Sequence, residues 1–238
     1  MSTAFTGDIQ IADSAPYSSS ATQNFPLGAR AKTADGRIFR YCKAGGTALV
    51  AGKLQQAPAE VTGDQNLACA AAAIGATSIT TTTTVTVTAN QYAGGYVIGS
   101  ITPGQGQMYR ILSHPAATAA ALTITLDDPL RVALTTDSRI DLVANPYNAV
   151  VVNPTTATSG PVGVAVYAIP ASEFGWIQTG GITAVLSDGG STVGTNVSAS
   201  NATAGAVEAS VTAQAEVGYA MTGIATTDYG AVMLTIDA

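Results

Sequence analysis

The stretch Thr77-Ser-Ile-Thr-Thr-Thr-Thr-Thr-Val-Thr-Val-Thr88 constrains the fold of this chain more than any other. All but one of its side chains branch at Cβ, which crowds a helix and suits a pleated surface, so it predicts a strand. The same style continues. Strands are expected at 95–101, 107–112, 122–126, 131–134, 139–143 and 149–152, and again at 162–169, 174–179, 182–186, 196–198, 209–213 and 232–236. Turn-forming sequences separate these runs, among them Thr102-Pro-Gly-Gln-Gly-Gln107, Asp127-Asp-Pro129 and Ser187-Asp-Gly-Gly190. Strands spaced roughly 8–12 residues apart with Gly and Pro punctuation form the pattern of a sandwich or barrel. Short helices are expected only at 116–121 and 213–221, and no internal repeat points to a solenoid or propeller. The predicted fold is all-β, an antiparallel β-sandwich or barrel. It carries an extended N-terminal arm (1–26) and a basic β-hairpin segment (27–60). A middle β domain (61–158) and a C-terminal β region (159–238) follow, and these two could form one continuous barrel.

Composition bounds the function. Charged residues make up 10% of the chain, against roughly 25% in a typical soluble domain. The hydrophobic share of 47% nevertheless excludes disorder by composition. A surface of Thr, Ser, Ala and Gly suits a protein that hides much of itself in an assembly, because Lys and Glu are depleted from interface cores. The net charge of −6 argues against nucleic acid as a partner, since phosphate binding needs a clustered positive field. Two cysteines, Cys42 and Cys69, are too few for a disulfide framework. The N-terminal sequence lacks a basic region followed by an apolar one, and no apolar run approaches the length of a membrane span. The expectation is a reduced protein made in the cytoplasm, with no membrane partner.

Six of the nine Lys and Arg residues lie between Leu27 and Leu54: Arg30, Lys32, Arg37, Arg40, Lys43 and Lys53. From residue 145 onward there is no cation, while six carboxylates remain. Asp35-Gly36 between β-prone runs predicts a hairpin carrying the basic cluster. Arg30, Lys32, Arg37, Arg40 and Lys43 are the candidate contacts to an acidic or lattice-like protein surface, where Arg pairs bidentately with carboxylates. The other reading of the same residues is a solvated strand face.

Motifs of catalysis are missing or broken. Gly46-Thr-Ala-Leu-Val-Ala-Gly52-Lys53-Leu54 puts five residues between its glycines where a Walker loop has four, and Leu54 cannot hold magnesium. Gly104-Gln-Gly106 lacks the third glycine of a dinucleotide fingerprint. His114, the one histidine, precedes Pro115 and is expected in a surface turn, with no nucleophile elbow anywhere. One His and two distant Cys give no zinc constellation. Asp127 and Asp128 are expected to shape a turn; with Asp137 and Asp141 they could form a calcium site, although solvated loop carboxylates are the simpler reading. No catalytic residue, metal or cofactor is expected, and the chain is read as a non-enzyme. Trp176 is expected in the core; exposed beside its glycines, it would instead stack on a sugar ring.

Several stretches, in their order, resemble the accessory structural proteins of tailed-bacteriophage heads called capsid cement or decoration proteins. They are Leu27-Gly-Ala-Arg30, Asp35-Gly-Arg-Ile-Phe-Arg-Tyr41, Ala44-Gly-Gly-Thr-Ala-Leu49, Gly104-Gln-Gly-Gln-Met-Tyr-Arg-Ile111, Asp128-Pro-Leu130, Asn145-Pro-Tyr147 and Phe174-Gly-Trp-Ile-Gln-Thr-Gly-Gly181. The resemblance runs from about residue 27 to the end. It implies a non-enzymatic virion protein that binds the outside of the capsid, commonly as a homotrimer, and reinforces joints between major capsid protein subunits. The alternative is a tail-fibre or surface β module that binds host glycans through Trp176 or the tyrosines.

Overall fold

The computed structural model describes residues 7–210 and 214–237. Strands take 44% of the chain and helix 3%, so the protein is all-β, with antiparallel sheets and one sheet nearly closed into a barrel. No described helix is long and apolar enough to cross a membrane. The chain forms two units: a discontinuous unit, Met1–Ala59 with Pro146–Ala238, and an inserted unit, Glu60–Asn145. The inserted unit begins at Glu60, where the sequence reading drew a middle domain from 61 to 158. It ends before 158, because Val151–Val152 pairs with Lys53–Gln56 and returns residues 146–158 to the discontinuous unit.

In the inserted unit a six-stranded sheet runs in the order Leu67–Ala68, Arg139–Val143, Tyr96–Ile101, Met108–Ser113, Ala121–Leu126, Ser78–Thr82. Alternation sets its core: Leu122, Ile124 and Leu126 point inward beside Ile79, Val97, Tyr109, Ile111, Ile140 and Leu142. Each such side chain contributes about 1.5–3 kcal/mol by leaving water. The threonine run makes two strands rather than one. Ser78–Thr82 pairs with Ala121–Leu126, where Thr80 and Thr123 share a hydroxyl hydrogen bond of 3.2 Å. After a bend at which the Thr83 hydroxyl donates to the Val85 carbonyl, Thr86–Val87 pairs with Ala117–Thr118. The expected helix at 116–121 is therefore strand on both sides of a turn. The expected strand at 131–134 reduces to one bridge, Leu134 to Ala72.

The discontinuous unit is built on one long strand, Phe174–Leu186. Along the main path of its sheet lie Ile9–Gln10, Arg30–Lys32, Ile38–Lys43, Phe174–Leu186, Tyr229–Thr235, Glu216–Ala220, Asn196–Ala199 and Val207–Ala209. Pro161–Ala165 also joins the long strand and links it to Lys53–Gln56. The sequence reads 174–179 and 182–186 as two strands; Gly180-Gly181 lets them continue as one, with Gly181 at φ +86°. The helix expected at 213–221 is the strand Glu216–Ala220, whose Gly218 lies so near the Met233 carbonyl that no Cβ would fit; Ala213 lies outside the described residues. The strand expected at 209–213 is Val207–Ala209, and residues 211–213 likewise lie outside the described residues.

The hairpin forms as predicted: Arg30–Lys32 pairs antiparallel with Ile38–Lys43, and Gly36, at φ +86°, donates its N–H to the Thr33 carbonyl. The described part of the arm is held by its own chain. Ile9–Gln10 adds parallel to Arg30–Lys32, Ser19–Ser20 pairs with Phe174 and Gly175, and Phe25 packs on Tyr41 and Trp176. Residues 1–6 of the arm lie outside the described residues.

Candidate functional site

The basic hairpin pairs most of its charge with carboxylates of its own chain. Arg40 donates from Nε and Nη2 to both carboxylate oxygens of Asp237 at 2.6 and 2.9 Å, and from Nη1 to the Gly28 carbonyl. Arg30 reaches Asp8 at 2.8 Å and Asp237 at 3.4 Å, and Lys32 meets Asp8 at 2.9 Å. Arg37 pairs with Asp35 at 2.7 Å and lies over the Phe39 ring. Lys43 stands over the Phe174 ring and forms no ion pair among the described residues. The structure thus brings Arg30, Lys32 and Arg40 together around Asp8 and Asp237, and places Arg37 and Lys43 apart from them.

These contacts act on the acids. Hydrogen bonds from Lys32, then Arg30, hold the Asp8 carboxyl below the ordinary range. Arg40 does the same for Asp237, and the Thr33 hydroxyl, then Arg37, for Asp35. Sequence reading missed Asp8 and Asp237 because their partners lie 22 and 197 residues away along the chain. The available signal was compositional: a cluster of cations in an acidic chain has nearby carboxylates to choose from.

Trp176 is 4% exposed and wedged between Phe25 and Tyr41, with ring centroids 5.1 and 5.0 Å away. Its role is packing, as the core reading expected; the stacking alternative fails at this residue because aromatic neighbours already flank the indole. His114 is buried, contrary to the surface turn expected. Its Nε2 accepts the Tyr92 backbone N–H at 2.9 Å, and its Nδ1 lies 2.9 Å from the Pro115 carbonyl, which assigns the proton to Nδ1. Asp127 pairs with Arg110 and Asp128 with Arg131, while Asp141 accepts the Asn66 N–H. Among the described residues no three His, Cys, Asp or Glu side chains gather as a metal site would require. Cys42 and Cys69 are free and buried, and burial pushes the Cys42 thiol up to about 12.

The feature left open is a groove of about 1170 Å³ on the discontinuous unit. It lies over the paired strands Phe174–Leu186 and Tyr229–Thr235, lined by Gly181, Ile182, Thr183 and Ala184 of the first and by Tyr229, Gly230, Ala231 and Met233 of the second. Ile38–Lys43 pairs with the long strand as far as Gly180; Gly181–Leu186 then pairs with Tyr229–Thr235 alone among the described strands. The hairpin turn with Asp35 and Arg37 borders the groove, as do the Ala51-Gly52 turn, Tyr17 and Tyr229. Tyr17 is 48% exposed and its hydroxyl takes a hydrogen bond from Arg37; Tyr229 is 55% exposed and Ile182 50%. Gly52, at φ +71°, lies under the Tyr229 ring, where a Cβ would come within 2.6 Å of it. Of the five cations singled out in the sequence, Arg37 alone lines the groove. A sequence signal for it existed: paired glycines inside a strand-like run mark a bulge or a close approach.

No protein-family model, no curated protein and no solved structure matches the chain.

Proposed function

We propose that this chain is a non-enzymatic structural protein of a tailed-phage virion, which binds the outer face of the head as a homo-oligomer and stabilises the lattice of major capsid protein. The resemblance of the sequence motifs supports this reading. The structural observation that carries it is the groove beside Gly181–Leu186: an accessible, largely apolar surface whose lining charges, Asp35 and Arg37, neutralise each other at 2.7 Å. Such a surface suits contact with protein better than contact with nucleic acid. Attachment then rests on the groove, and the cations Arg30, Lys32 and Arg40 serve the fold.

Mass action supplies the mechanism. A protein that binds only the assembled shell stabilises it by about 2.7 kcal/mol per site at a hundredfold excess over Kd, and a homotrimer adds avidity across neighbouring subunits. The test mixes purified protein with heads of the encoding phage assembled without it. Co-sedimentation and a raised temperature of shell disruption are expected. Heads that bind no protein and melt unchanged would remove the reading.

Exposed Tyr17 and Tyr229 on the same groove favour a second reading, a tail-fibre or surface β module that binds neutral host glycans by stacking on tyrosine. It predicts retention on a glycan array that is lost in Tyr229→Ala, with no effect on heads.

A further inference from the structure

We infer that the groove is an acceptor for β-strand addition: it takes an extended, uncharged segment of a partner protein, which pairs with the long strand at the part of its edge left open around Ala184. The inference rests on the shell-protein reading for the identity of the partner, but the site itself is argued from geometry.

Peptide groups alternate sides along a strand. The Thr179 carbonyl receives the Asp237 N–H, on the side of Tyr229–Thr235. The intervening positions face the other way: the carbonyls of Gly180 and Ile182 each accept from Gln178 Nε2, and Leu186 donates its N–H to the Gly52 carbonyl. Ala184 lies between these two closures, with its main chain on the groove side and its side chain exposed. The stretch Gly181–Val185 is about 17 Å long at about 3.3 Å per residue, room for four or five residues of an added strand. The hairpin turn and the Gly52 turn frame it at either end, so a free segment fits and the edge of a whole sheet does not.

Two observations define the occupant. Among the described residues Asp35 and Arg37 are the only charged ones in the lining and already pair with each other, so the complementary segment carries no charge. Gln178 is fully buried, lines the groove, and its Oε1 has no hydrogen-bond partner; this is an acceptor for which a main-chain N–H of the occupant is the matching donor. Ile182 and Tyr229 supply apolar contacts for small or β-branched side chains, and the main chain supplies the binding, as in other cases of strand addition. The stretch Gly181–Leu186 itself carries no Pro, Lys or other charge of the sort that guards exposed strands.

The test uses the full-length protein and the capped peptide acetyl-Thr-Val-Thr-Val-Thr-amide, with backbone resonances followed by NMR. Shifts centred on Ile182, Ala184 and Tyr229 are expected. A peptide N-methylated at alternate residues should lose them, and Ala184→Arg, an exposed substitution, should weaken binding at least tenfold while leaving the remaining spectrum in place. Equal binding of the N-methylated peptide or of A184R overturns the inference. So do an unshifted groove at millimolar peptide and a groove shifted by maltohexaose but not by peptide. Heads separate this inference from the reading beneath it. If A184R decorates heads as well as the parent protein does, strand addition falls and the shell role stands. If the peptide binds but heads do not, the acceptor groove stands and the shell role falls.

Discussion

Arg40 and Asp237 join positions far apart in the sequence into one half-buried bidentate pair. Hydrogen bonds to charged groups are worth about 1.5–3 kcal/mol, so Arg40→Ala is expected to cost about 2 kcal/mol of unfolding free energy in urea, and Arg40→Lys to recover only part of it. Trp176 gives a second measurement at this scale. Its emission should be blue-shifted, resist acrylamide, and stay unchanged with added sugars; a red-shifted, quenchable indole would contradict its packing between Phe25 and Tyr41. The burial of Trp176 was legible from its place in an alternating run. The burial of His114 was not: Ser113-His-Pro115 reads as turn chemistry, and only the fold brings the Tyr92 N–H to its ring.

Elements were legible where the side-chain pattern and the neighbours agree. The strands Tyr96–Ile101, Ala121–Leu126 and Arg139–Val143 fall within a residue of expectation because each alternates buried and exposed positions. Alanine misled the reading at 116–121 and 213–221, since a short side chain fits a helix and a strand alike and pairing decides. The glycine pair in Phe174–Leu186 misled it in the opposite direction, by suggesting a break. Gly181 is at φ +86° with the Arg37 backbone 3.3 Å from where a Cβ would stand. Gly181→Ala is therefore expected to cost about 1–2 kcal/mol and, as a sign that the bulge has moved, to shift the NMR signals of Arg37 and Ile182. The groove escaped sequence reading for a related reason: an edge exists only where a neighbouring strand leaves, and no local pattern records a departure.

For the whole molecule, the two units should respond differently to acid. Asp8, Asp35 and Asp237, the carboxylates held below the ordinary value of 3.8, all belong to the discontinuous unit. A depressed carboxylate contributes stability that is fully present above its unfolded value and is lost as pH falls through its folded value. Loss is therefore expected below pH 3.8, and first in the discontinuous unit. Trp176 fluorescence should report it before hydrogen exchange opens Ile124 in the inserted unit; simultaneous loss, or loss beginning near neutrality, would contradict it. Salt should weaken the same contacts modestly, since all are partly exposed.

The position of Tyr229–Thr235 has a consequence for how the protein is made. That strand lies between Phe174–Leu186 and Glu216–Ala220, and Asp237, just past it, holds Arg30 and Arg40. Synthesis therefore delivers this central strand after the two strands that flank it. A nascent chain arrested before Tyr229 lacks the strand that joins its two halves, and it presents two raw edges to whatever meets it in the cell. A chain truncated at Asp228 lacks both this strand and Asp237, and is expected to aggregate or be degraded rather than fold.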